Sequence, residues 1–338
     1  MSDTPKEEGI GRSVAPKHNR IRQFTAFILC VYFLFGCVSV PYEYSYRSDR
    51  AISSFRISGK QKPGIAKPFA ENLCITLHDT MPETVDTSKA SSVLLCDVAR
   101  REVLYSKNAH QRLHPASLTK IMTAWVAIKY GDFGRTLIAT DTVKIQEAGA
   151  QLIGIKSGDT MTMDQALHML LMYSANDVAM MIAENVGQTV EHFIEMMNEE
   201  AKLLGATNTH FSNPHGLTQD DHYSTAYDLY LIFNAAIAND SFKEIIHMAN
   251  YQTVYYDLSQ DAKELSFRTT NQFLNGNVEP PTNVTVIGGK TGTTNAAGHC
   301  LILLSKDANG DPYISVILNA ETRDDLYSQM DDLLESLI

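Results

Sequence analysis

Pro115-Ala116-Ser117-Leu118-Thr119-Lys120, running on into the apolar segment 121–130, is the stretch on which the reading of this chain turns. Pro115 stands where a helix begins without losing a backbone hydrogen bond, and Gly131 supplies a stop. This predicts a buried helix opened by Ser117, with Lys120 one turn further on. Residues three apart share a helical face, so the hydroxyl and the amine come within reach of each other. A serine alone is a weak nucleophile, but a lysine whose ammonium is disfavoured by burial or by a second cation can act as its base. The bland alternative is that Ser117 caps a helix and Lys120 is a solvated side chain.

The chain has 338 residues, 44% hydrophobic and 20% charged, the composition of a globular protein with one large domain or two smaller ones. A formal net charge of -11 argues against nucleic acid or an anionic lipid surface as the main partner of the folded part, since both would repel it. Five cysteines are too few and too scattered for a disulfide framework, and no Cys/His spacing or HExxH suggests a metal site. Cys74, Cys96 and Cys300 read as free and buried, with a Cys96–Cys300 bridge left open. No cofactor or metal is expected.

Basic residues gather in 1–22, whereas 24–40 carries no charge. A basic segment before an apolar run marks an export signal or a signal anchor, with the N-terminus cytoplasmic and everything after it facing outward. The run sits at the short end of the roughly 17–25 residues that span a bilayer, so spanning and cleavage both remain open. Leu34-Phe35-Gly36-Cys37 resembles a bacterial lipobox and offers Cys37 for lipidation, with Phe35 bulkier than that pattern usually has. The expected organisation is a basic cytoplasmic tail over 1–22, a signal or membrane anchor over 23–40, a polar and proline-bearing linker over 41–88, and one domain over 89–338.

Within that domain, 92–96 and 102–105 read as a hairpin ahead of the Ser117 helix. Segment 140–249 is mostly helical in period, with Ser174-Ala175-Asn176 breaking two helices and 213–216 forming a turn. After Pro280 and Pro281 the pattern changes to strands at 284–287, 301–304 and 313–318, and 323–337 closes the chain as an amphipathic helix. Strands at both ends of a helical insert predict an α/β domain whose sheet is completed by distant pieces of chain.

Three short motifs follow one another: Ser117-x-x-Lys120, Ser174-x-Asn176 and Lys290-Thr291-Gly292. Each alone is common, and Ser106-Lys107-Asn108 matches the second pattern by chance. Together they are the signature of penicillin-binding proteins and class A β-lactamases. With Asn213-Pro214-His215-Gly216-Leu217, Tyr223-Ser224-Thr225-Ala226-Tyr227-Asp228 and Gly289 to Thr294, the chain from about residue 91 onward resembles the low-molecular-mass penicillin-binding proteins that are serine D-alanyl-D-alanine carboxypeptidases. Two departures stand out. The chain stops at its closing helix, where family members commonly add a β-rich domain and a membrane helix, so attachment is expected through the N-terminus. The usual Asp-x-x-Thr-Gly turn is here Asp97-Val98-Ala99-Arg100-Arg101.

The resemblance implies a β-lactamase/transpeptidase-like fold, an antiparallel sheet flanked by helices with a large helical insert. It assigns Ser117 as nucleophile, Lys120 as base and Ser174 as proton carrier, with Asn176, Lys290, Thr291, Gly292 and Thr293 binding substrate. The implied partners are a peptidoglycan stem peptide ending in D-Ala-D-Ala, β-lactam antibiotics as inhibitors, and a membrane through the N-terminal segment. A β-lactamase is the nearest rival, but no Glu-x-x-Leu-Asn segment for deacylation lies between Ser174 and Lys290. A non-catalytic penicillin-binding sensor or scaffold is the other. As bland readings, Ser174 and Asn176 could cap a helix, Lys290-Thr291-Gly292 could merely end a strand, and His215, His222 and His299 stay outside the site as structural residues.

Overall fold

The computed structural model describes residues 70–337 apart from Glu83. The tail, the apolar run and Cys37 lie outside the described residues. Among the described residues no helix is long and apolar enough to cross a membrane.

The expected hairpin forms from residues Ala90–Asp97 (β1) and Glu102–Lys107 (β2), with a register shift between Leu95 and Cys96. Residues Thr119–Tyr130 form α1, which ends where Gly131 donates back to the Ala127 carbonyl. Short strands Thr136–Ile138 (β3) and Thr160–Thr162 (β4) precede the helices Met163–His168 (α2), Asn176–Gly187 (α3), Val190–Leu203 (α4), Ala226–Ala236 (α5) and Asp240–His247 (α6). A second hairpin, Asn250–Tyr256 (β5) and Ala262–Arg268 (β6), and a single helical turn, Gln272–Asn275 (α7), lead to the last three strands. These are Thr285–Thr294 (β7), Gly298–Lys306 (β8) and Pro312–Ala320 (β9), followed by Arg323–Glu335 (α8).

Two antiparallel sheets result. The larger has the order β2-β1-β9-β8-β7, so the first and last pieces of the domain meet at its centre, as expected. The near-continuous apolar runs of its inner strands are explained by burial on both faces. Leu94, Cys96, Ile302, Leu304, Ile314 and Val316 point into the core formed with the helical insert, while the alternate residues Val93, Leu95, Leu301, Leu303 and Ile317 pack under α8. The smaller sheet, β3-β4-β5-β6, is not expected from the sequence: only β4 falls within 140–249, read as mostly helical, and the other three strands lie in stretches flanking it for which no element is predicted. Its first two strands are three residues each, too short to carry a period of two, and β5 alternates half-buried with exposed positions because only one face is covered.

Chain ahead of residue 89 already packs on the domain. Cys74 is buried and its N–H donates to the Tyr230 hydroxyl at 2.8 Å, and Thr80 pairs with Ser106 through two backbone hydrogen bonds. Cys74, Cys96 and Cys300 are all free thiols.

Candidate active site

Ser117 sits two residues ahead of the helix rather than at its first position. Residues Ala116–Leu118 make a single 3-10 turn, and α1 follows from Thr119. Ala116 is left-handed, with φ 47°. That conformation is costly for a residue with a Cβ and persists only where neighbours hold it. It leaves Ser117 half-buried at the rim, with Lys120 fully buried beneath it.

The Lys120 amine lies 2.9 Å from Ser117 Oγ, 2.7 Å from Asn176 Oδ1 and 2.6 Å from the His215 carbonyl oxygen. Two of these three partners, the carboxamide and carbonyl oxygens, can only accept. A neutral amine therefore gives both its hydrogens to them and turns its lone pair toward the serine hydroxyl. Burial pushes the pKa of Lys120 well below the ordinary lysine value, and the charge of Lys290 pushes the same way against the pull of Asp177. The solvated reading of Lys120 is thus excluded.

Ser174 and Asn176 arise where α2 runs into a π turn, Met169–Tyr173, whose extra residue pushes the chain out of helical register. Ser174 then takes φ 70° and Asn176 opens α3. Neither caps that helix, since its N-terminus has no side-chain cap. Instead, Ser174 Oγ accepts from the Lys290 ammonium at 3.0 Å, and Asn176 faces Lys120. Asp177, which the motif reading passed over, accepts backbone N–H groups from Ile153, Gly154 and Ile155, the nearest at 2.7 Å. The same segment is tied again by Asn176 N–H donating to the Gln151 carbonyl, and Gln151 forms one wall of the site.

Lys290, Thr291 and Gly292 lie within β7 and do not end it. β7 is a sheet edge. Its outer side near Gly288 is covered by α6, where an added Cβ would lie 2.4 Å from the Ile246 carbonyl oxygen, while its upper half borders the cleft. A Cβ on Gly292 would come within 2.9 Å of the Ser117 nitrogen, so the glycine is what lets the strand reach the nucleophile turn. The Thr291 hydroxyl shares a 2.6 Å hydrogen bond with Thr270, and Thr293 Oγ1 lies 3.2 Å from His299 Nδ1. Lys290 also donates to the Thr291 carbonyl at 2.8 Å, and burial brings its pKa down to about 7.

These groups surround one cleft of about 450 Å³. Of the eight residues the motifs single out, Ser117, Ser174, Asn176, Thr291, Gly292 and Thr293 line it, and the two lysines lie buried under them. Cys37 is outside the described residues. Three residues that no motif indicated, Thr270, His299 and Arg323, also line the cleft. His215 contributes its backbone oxygen only, and its ring is buried and neutral, with a pKa lowered to about 3. Ser106-Lys107-Asn108 lies away from this set, with Lys107 donating to the carbonyls of Thr87 and Ala90.

Residues 79–322 match the profile of the D-alanyl-D-alanine carboxypeptidase family. The chain belongs to that family. It is 31% identical over 256 residues to the D-alanyl-D-alanine carboxypeptidase DacF of Bacillus subtilis, covering 73% of this chain and 61% of that protein. The corresponding enzyme DacC of Escherichia coli is 33% identical, over 72% of this chain and 60% of its own length. The chain therefore spans about three-fifths of these curated relatives. Among solved structures, a Streptomyces DD-transpeptidase superposes with a TM-score of 0.68 at 25% identity, covering 74% of this chain and 97% of that one. A D-alanyl-D-alanine carboxypeptidase from Mycobacterium tuberculosis gives 0.67 at 26%, covering 77% and 95%. The fold is accordingly that of the penicillin-binding serine peptidases, an antiparallel sheet between helices with a helical insert.

Proposed function

We propose that this chain is a serine-type D-Ala-D-Ala carboxypeptidase that removes the terminal D-alanine from peptidoglycan stem pentapeptides through an acyl-enzyme on Ser117. Support comes above all from one geometric fact: a fully buried lysine amine 2.9 Å from the serine oxygen, with both of its other neighbours acceptors only.

In this reading Ser117 Oγ attacks the carbonyl between the last two D-alanines, and its proton passes to Lys120. In the same reading the developing oxyanion takes hydrogen bonds from the backbone N–H groups of Ser117 and Thr293; the close approach of the neighbouring Gly292 to the Ser117 nitrogen supports the pairing. Ser174, bonded to Lys290, passes a proton to the leaving amine, and free D-alanine departs. Water then attacks the ester and gives a proton that replaces the one Ser174 lost; the bond to Ser117 breaks, and Lys120 returns its proton to the serine oxygen, restoring the hydroxyl. Lys290 and Thr291 hold the substrate's terminal carboxylate, with Arg323 a further cation on the same cleft. Asn176 spends its oxygen on Lys120 and keeps its amide N–H groups for the peptide backbone. An extended peptide lying along the free edge of β7 is the natural ligand for such an edge.

The same attack opens a β-lactam ring, which makes those antibiotics inhibitors. An enzyme of this kind works outside the cytoplasm of a bacterium. We assign attachment to the apolar segment 23–40, with Cys37 as the lipid site if the segment is cleaved there, and count the packed stretch from Cys74 onward with the domain rather than with the linker.

Purified protein is expected to release D-alanine from a stem-like pentapeptide, and Ser117→Ala to lose that activity. An unchanged rate in Ser117→Ala contradicts the assignment.

A further inference from the structure

The turn that carries Ser117 is held by a run of hydrogen bonds that the reaction does not consume. His222 is 1% exposed. Its Nδ1 accepts the Ser212 N–H at 3.0 Å, and its Nε2 lies 2.7 Å from Thr119 Oγ1. An amide N–H only donates, so Nδ1 carries no proton and Nε2 does. The imidazole therefore donates to the Thr119 oxygen, which leaves the threonine's own proton for the Ala116 carbonyl, 2.8 Å away. Ala116 is the left-handed residue whose peptide supplies the N–H of Ser117. Gly216 closes the other side of the same carbonyl so tightly that a Cβ there would sit 1.9 Å from the Ala116 oxygen.

We propose that His222 is a positioning residue for catalysis: as a fixed Nε2–H tautomer it orients the Thr119 hydroxyl, and through it the Ala116 carbonyl, so that the Ser117 N–H stays aimed at the oxyanion. This rests on the serine chemistry proposed above. The direction of the whole chain is set by one backbone N–H, that of Ser212, on a segment remote from the nucleophile in sequence. Thr123 Oγ1, which donates to the Pro214 carbonyl at 2.6 Å, and Lys120, which donates to the His215 carbonyl, tie the same helix to the same segment. The histidine's burial keeps it neutral, with a pKa lowered to about 4.

The chain can be cut at either link while the space stays filled. Thr119→Val removes the hydroxyl and Thr119→Ser keeps it. His222→Gln keeps an N–H donor near the Nε2 position, whereas His222→Asn keeps only the acceptor for Ser212. D-alanine release from a pentapeptide is to be measured for all four variants, for the parent and for Ser117→Ala, with thermal unfolding alongside. Because misaiming one oxyanion donor costs part of the hundredfold or so that losing it does, Thr119→Val and His222→Asn should lower kcat by about tenfold or more at nearly constant KM. Thr119→Ser and His222→Gln should stay within about threefold of the parent. Parent-like kcat in all four variants overturns the positioning role alone, as does a kcat loss that follows unfolding temperature regardless of whether the donor is kept. A parent protein without Ser117-dependent turnover removes the serine chemistry, and this inference with it.

Discussion

At the scale of single residues the site is a problem in keeping amines uncharged. Lys120 is useful as a base only when neutral, and burial together with the Lys290 charge brings its pKa down from the ordinary lysine value. Activity should therefore rise with pH along a limb that lies below that value. Lys290→Gln removes the cation that helps hold Lys120 neutral, so the limb should move to higher pH in addition to any overall loss of rate. A limb that stays in place, seen in the pH profile of kcat/KM, would show that burial alone sets the base. The eight motif residues were legible because each carries reactive or hydrogen-bonding chemistry at a spacing fixed within one short segment. His222, Asp177 and Thr270 were not, because each acts on a partner elsewhere in the chain, and His299 and Arg323 reach the cleft only through the fold. Only the structure puts the His222 ring on Thr119, 103 residues away in sequence.

At the scale of elements, two close approaches decide whether the three motifs share one cleft. Gly292 lets β7 touch the nucleophile turn, and Gly292→Ala must move the strand away from the Ser117 nitrogen. Because small misplacements of reacting groups are costly, a loss of about a hundredfold in acylation rate is expected, with stability changed by no more than about 2 kcal/mol. Equal loss of rate and fold, measured by stopped-flow acylation and urea titration, would point to a folding defect. Gly216 combines a left-handed φ of 87° with a backbone carbonyl where a Cβ would go. Gly216→Ala should therefore cost about 3 kcal/mol or more in urea unfolding, and a near-parent midpoint would contradict the packing described here. The extent of β7 was harder to read than its existence. Gly288, Gly289 and Gly292 lower strand propensity, so 284–287 looked like a whole strand, although the ladder to β8 continues to Thr294. The hairpin of β5 and β6 was missed for the opposite reason. Its residues alternate in burial, but Val254 and Tyr256 put apolar side chains on the exposed face of β5 and blur the polar–apolar alternation.

At the scale of the whole molecule, the two-faced sheet was legible in its continuous apolar strands, and joining the ends of the domain at β1 and β9 followed from strands flanking a helical insert. What that architecture costs was not legible. It buries two lysines and two histidines that are all held toward their neutral forms. For His215 and His222, with folded pKa values of about 3 and 4 against an ordinary 6.5, the unfolded chain binds protons that the folded one refuses. Their stabilising contribution is complete above pH 6.5 and is lost as pH falls toward those values, on the order of 5 kcal/mol for His215 and about 3 kcal/mol for His222. Urea midpoints should fall steeply between pH 6 and 4, and a flat profile would contradict the burial of neutral rings. Lys290 has the same sign at higher pH, since its folded pKa of about 7 lies below the unfolded 10.5. Lys290→Met should consequently stabilise the fold at pH 7 by about 1–2 kcal/mol net of its lost hydrogen bonds, with the gain shrinking as pH approaches 10.5. A destabilised Lys290→Met protein at pH 7 would mean that the ammonium is better solvated than its burial implies.

The central claim is that one hydroxyl, that of Ser117, becomes covalently acylated with Lys120 as its base. Intact-mass spectrometry after incubation with benzylpenicillin, followed by peptide mapping, tests it most directly. A single adduct on the peptide containing Ser117, slowed by orders of magnitude in Lys120→Met and absent in Ser117→Ala, is the predicted result. An adduct on any other residue, or one formed at the parent rate without Lys120, would contradict it.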